Sequence, residues 1–208
     1  MVNKDYCCSA FLAFRYIPRP NVEFAEGLRH INATLPTTCS LAKIKNAADA
    51  DCALERVFDN IKSKKTALLL SGGMDSATLA TYMKGKDAYT FRFLGGNFGA
   101  DELCRAERFA SLNNMDLHYV DINFEAVKEV LPAVMHHRGA PVHSIEPQIY
   151  LAARQAAADG IEQMVIGDGA DYVFGGMDGL LSKDWSYDEF GPIYLHQTGR
   201  SPAQSRLC

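Results

Sequence analysis

Short apolar runs alternate along this chain with longer segments whose apolar residues recur every three or four positions. Thr66-Ala67-Leu68-Leu69-Leu70, Leu117-His118-Tyr119-Val120-Asp121 and Gln163-Met164-Val165-Ile166 read as buried strands. Ala88-Tyr89-Thr90-Phe91-Arg92-Phe93-Leu94 reads as another, interrupted only by Arg92 and broken by Gly95-Gly96-Asn97. Helical spacing falls at 49–63, where Ala53, Leu54, Val57, Phe58 and Ile61 share a face, and at 76–84, with Gly85 as its stop. It recurs at 101–112, through Phe124, Val127, Val130, Leu131 and Val134, and at 146–158 after a loop at 136–144. A helix followed by repeated βα units predicts an α/β fold: an open, mostly parallel sheet with helices on both faces.

Residues 1–48 differ in texture, with Pro18, Pro20, Gly27 and Pro36 among short apolar runs, and are expected to form an extended lead-in. Residues 49–190 then make one domain and 191–208 an irregular tail. The chain has 208 residues, 48% hydrophobic and 22% charged, with a net charge of -4. That composition suits one α/β domain and offers no basic surface for nucleic acid. No apolar run reaches the roughly 18 residues of a membrane span. The N-terminus lacks a signal-peptide pattern, and the six cysteines include no CxxC pair, so a cytoplasmic protein with reduced thiols is expected.

The chemistry starts at Ser71-Gly72-Gly73-Met74-Asp75-Ser76, between a strand end and a helix start. Adjacent glycines let backbone amides approach an anion closely, and a helix N-terminus favours negative charge. A Walker lysine is missing and Asp75 stands in the turn, so a metal ion is expected to bridge its carboxylate to phosphate oxygens. Ser71, Gly72, Gly73, Met74 and Ser76 complete the expected pyrophosphate cradle.

The string SGGMDS resembles the SGGxDS signature of the PP-loop ATP pyrophosphatases, and GDGADYVFGG at 167–176 is similar to the second signature of the asparagine synthetase branch. The segment FLAFRYIPRP at 11–20 also resembles that domain's lead-in. The resemblance, which covers roughly residues 11–190, implies ATP and Mg2+ as cofactors, with Asp75 and Asp171 as the metal-holding carboxylates. It implies that the strand ends at Leu69, Phe91 and Gly167 line the adenine and ribose pocket. It also sets Asp168 where the branch usually has a Glu that deprotonates the attacking nitrogen, and Tyr172 where a second Glu commonly stands.

The expected reaction is ATP-dependent activation of a small carboxylate as its acyl-adenylate, with release of pyrophosphate, then attack by ammonia or another amine. Val2 stands where a glutaminase nucleophile would be, and about 65 residues precede the loop, so no intrinsic glutaminase is expected and a separate amidotransferase or partner subunit is a possible nitrogen source. A truncated nucleotide-binding paralogue, and another PP-loop chemistry such as NAD synthesis or tRNA modification, are the alternatives. Arg138 and Arg154 are weighed as carboxylate binders, and His136, His137 and His143 as a loose metal set, against ordinary surface roles.

Overall fold

A computed structural model of the protein describes residues 1–14, 16–30, 43–95, 100–170 and 186. The chain divides into two compact units, Met1–Gly167 and Asp168–Cys208. The first contains helix α1 (Lys4–Phe14), helix α2 (Ala47–Ile61), strand β1 (Thr66–Leu69), helix α3 (Met74–Ala80) and strand β2 (Asp87–Phe93). It continues with α4 (Asp101–Leu112), β3 (Asp116–Ile122), α5 (Phe124–Arg138), α6 (Ile145–Ala158) and β4 (Gln163–Ile166).

All four strands are parallel, in the order β3-β2-β1-β4. The chain builds outward from β1 to β3 and then returns to lay β4 on the other side of β1. Because parallel crossovers keep one hand, reversing the direction of growth moves the connecting helices to the opposite face of the sheet. The core divides accordingly. Leu68 and Leu70 pack with Ala80, Met83, Ala106 and Ala110 on the α3–α4 side. Ala67 and Leu69 pack with Val130, Val134, Leu151, Ala152 and Ala156 on the α5–α6 side. β1 is buried along its whole length, as a continuous apolar run between two strands and two helical layers must be.

Several local expectations change. Part of the extended lead-in is helical: α1 spans Lys4–Phe14, and its Cys7 packs with Ile17, Val22, Phe24 and Ala140, so short apolar runs without clear periodicity still cover the end of α5. Arg92 lies within β2, in agreement with the strand expected at 88–94. It faces its register partner Asp121 in β3 and donates Nε and Nη2 to that carboxylate at 2.6 and 2.9 Å, which accommodates a cation at the strand's exposed end. Helix α5 runs past the expected loop start at 136, because Asn123 caps its beginning and His136, His137 and Arg138 suit the negative end of the helix dipole. Helix α3 starts earlier than expected and puts Asp75 in its first turn.

Candidate active site

Open α/β sheets bind ligands beyond the carboxyl ends of their strands, where the strand order reverses. Here that point lies between β1 and β4, which pair from Thr66↔Gln163 to Leu69↔Ile166. The glycine loop 71–76 leaves β1 there, and Gly167 follows β4 beside it. A Cβ built on Gly167 would lie 3.0 Å from the Ser76 nitrogen and 3.2 Å from the Asp75 carbonyl carbon. The end of β4 thus sits directly on the peptide joining two loop residues, an approach that a side chain would obstruct.

The loop is held from within by its two serines. The Ser71 amide donates to Ser76 Oγ at 3.2 Å, the two hydroxyls lie 3.1 Å apart, and Ser76 Oγ donates to the Gly73 carbonyl at 3.1 Å. The Gly73 amide donates to Ser71 Oγ at 3.3 Å. Ser76 is buried, so its hydroxyl is fixed by this network, whereas Ser71 and Gly73 face outward. Gly73 is the α3 N-cap and brings no side chain to cap the first-turn amides. Asp75 is half-buried and has no hydrogen-bond or ion-pair partner among the described residues.

Helix α4 braces the loop from outside. Gly72 has φ +79, and a Cβ there would lie 2.2 Å from the Glu102 carbonyl oxygen. Arg105 Nε donates to the Gly72 carbonyl at 3.1 Å. Beside the loop a cavity of about 480 Å³ opens at the end of β2, lined by Ser71, Thr90, Phe91, Phe93, Glu102 and Arg105 among others.

Of the residues expected at the site, Ser71, Gly72, Gly73, Asp75, Ser76 and Gly167 come together at one sheet edge. Leu69 packs its side chain into the core, leaving only its backbone for a ligand, and Phe91 borders the cavity while contacting Phe93 edge-on. Met74 is 82% exposed, and its carbonyl accepts a hydrogen bond from Thr78 Oγ1 at 3.0 Å. Asp168 opens the second unit and is exposed. Asp171, Tyr172, Gly175 and Gly176 lie outside the described residues. Arg138 and Arg154 are committed to protein carboxylates, Glu146 at 2.7 Å and Glu129 at 2.9 Å. His136 and His137 end α5 on neighbouring ring positions.

Arg105 escaped the sequence reading because its 33-residue separation from Gly72 leaves no local signal. The other grouping it missed lies at the opposite edge of the sheet. There His118 Nε2 is 2.8 Å from Asp87, near Asp116, and its ring stacks on Tyr89.

A parallel sheet with a reversal beside β1, a serine-braced double-glycine turn and, at the helix mouth, a carboxylate with no partner among the described residues define an open α/β protein with a candidate site at its strand ends. Residues 61–206 match the asparagine synthase family model, and the chain belongs to that family. It is 28% identical over 173 residues to amidase chry2 of Gibberella zeae, covering 73% of this chain and 26% of the relative. Amidase chyE of Penicillium rubens is 28% identical over 175 residues, 72% of this chain and 25% of the relative. The chain therefore spans about a quarter of the length of these curated relatives. An NMN synthetase structure from Francisella tularensis superposes with a TM-score of 0.42 at 15% identity, covering 64% of this chain and 60% of that one. No helix among the described residues is long and apolar enough to cross a membrane.

Proposed function

We propose that this chain carries the adenylating site of an AMP- and pyrophosphate-forming amide ligase of asparagine synthetase type, acting on a small carboxylate. The observation that carries this reading is the seating of Gly167 on the Asp75–Ser76 peptide, which puts the end of β4 against the glycine loop at the sheet's reversal point.

A carboxylate oxygen of the substrate attacks the α-phosphorus of ATP, the bond to the bridging oxygen breaks, and pyrophosphate leaves. An amine then attacks the acyl carbon, its proton passes to a base, and the bond to AMP breaks to give the amide. In the first step the loop 71–76 receives pyrophosphate on its outward amides, while the Ser71–Ser76 hydroxyl pair fixes the turn before the anion arrives. Such preorganisation lowers the barrier through position and fixed dipoles, without reorganisation during reaction. The cavity beside Phe91 takes the nucleoside, and the backbone at the strand ends of Leu69 and Gly167 is proposed to contribute to its binding. Asp168 is the proposed base for the amine.

A half-buried carboxylate with no partner among the described residues supplies the hard oxygen donors that Mg2+ prefers, so Asp75 fits the ion. Asp75 and Asp171 would hold it, and it would supply positive charge to the pyrophosphate oxygens. The name amidase borne by both fungal relatives concerns the same bond type. A cytoplasmic setting belongs to this proposal too, and rests on the cysteine pattern.

The test is exchange of labelled pyrophosphate into ATP across a panel of amino acids and small acids. Exchange that depends on one class of carboxylate is expected. ATP binding with no exchange for any acid would replace the ligase with a nucleotide-binding module.

A further inference from the structure

We infer that Arg105 is the polyphosphate-binding cation of this site, an inference that rests on the nucleotide reading above. A triphosphate brings several negative charges to a loop whose only charged residue is Asp75, an anion. No lysine follows the glycines. A divalent ion held by carboxylates would offset only part of that charge, so charge balance calls for a further cation from elsewhere in the fold, and at the loop the described structure offers Arg105.

Its guanidinium is already oriented. Nε donates to the Gly72 carbonyl at 3.1 Å, and the side chain lines both the cavity at the end of β2 and a second one, of about 550 Å³, on the outer side of the loop. Neither terminal nitrogen has a hydrogen-bond or ion-pair partner among the described residues. A planar fork with one N–H anchored to the loop and the others without a partner among the described residues matches the bidentate geometry of phosphate oxygens. The mounting is rigid as well, because Gly72 and the first turn of α4 touch backbone to backbone. The backbone under Arg105 therefore moves with the loop it serves, and the Nε hydrogen bond of this exposed side chain reduces the ordering left for an arriving anion to impose.

The experiment measures binding of three probes to the full chain at fixed Mg2+: ATP, inorganic pyrophosphate and adenosine. R105Q keeps a donor for the Gly72 carbonyl and loses the charge, whereas R105K keeps the charge and loses the planar fork. R105Q is expected to weaken ATP and pyrophosphate about tenfold or more and to flatten the salt dependence of pyrophosphate binding. Adenosine should change less than twofold, and R105K should recover part of the loss. Unchanged pyrophosphate binding in R105Q would overturn the inference, and wild-type pyrophosphate exchange would then still uphold the nucleotide reading. Equal loss of adenosine and pyrophosphate, with a lowered melting temperature, would reduce Arg105 to a loop scaffold and also overturn it. Failure of the wild type to bind ATP or pyrophosphate would remove the nucleotide reading itself.

Discussion

Gly72 and Glu102 meet so closely that a Cβ on the glycine would lie 2.2 Å from the glutamate's carbonyl oxygen. This contact fixes the glycine loop to α4, and it separates the two adjacent glycines by role. Gly72 combines a left-handed backbone, φ +79, with a filled space, whereas Gly73 has an ordinary extended backbone and its nearest neighbour, Ser71 Oγ, 3.4 Å from the Cβ position. Gly72→Ala should cost about 2–5 kcal/mol, from the strained backbone and the displaced helix together. Gly73→Ala should stay within about 1 kcal/mol. Denaturant unfolding of both variants checks the contrast, and equal losses would contradict it.

Gly167 makes the corresponding contact from β4. In Gly167→Ala the methyl group would press on the Ser76 nitrogen from 3.0 Å. The expected cost is about 1–3 kcal/mol, with pyrophosphate binding weakened more than adenosine binding because the loop carries the displacement. Titration with the two probes separates these effects; a variant that binds both as the wild type does would show that β4 can recede freely.

Asp75 is proposed to share an ion with Asp171. Asp75→Asn and Asp171→Asn should each abolish carboxylate-dependent pyrophosphate exchange, and the double variant should be no worse than either alone, since each loss empties the same site. Losses that multiply would assign the two carboxylates to separate tasks.

Tyr89 is fully buried, and its hydroxyl donates to Asp159 at 2.8 Å. Burial, and then this hydrogen bond, push its phenol above the usual value. The unfolded phenol ionises near pH ~10, so its stabilising contribution is complete below that pH and is lost as pH rises toward the folded value. Tyr89→Phe should be less stable by about 1 kcal/mol at neutral pH. Above pH ~10 the gap should close, because only the wild type must hold a neutral phenol against ionisation. Parallel stability curves for the two proteins between neutral pH and pH ~11 would contradict this origin.

What was legible in the sequence was local. The runs at Leu68 and Val165 announced strands because a buried strand needs unbroken apolar residues, and Gly72 announced a tight turn because other residues resist its left-handed backbone. Candidate chemistry could be read at 71–76 and 167–171 since each motif is contiguous. Arg92 could be placed in its strand, but its ion-pair partner could not be read, because Asp121 lies on another strand. Helix α1 was missed because its stability comes from packing Cys7 and Phe11 against distant residues, with little periodicity of its own.

The tertiary structure alone decided that β4 lies beside β1, and hence that Gly167 touches the loop. It also decided that α4 reaches back to grip Gly72 through Glu102 and Arg105. The physical reason is common to both. Periodicity and turn chemistry report on neighbours a few residues apart, while strand order and helix placement are set by which apolar faces cover one another across the sheet.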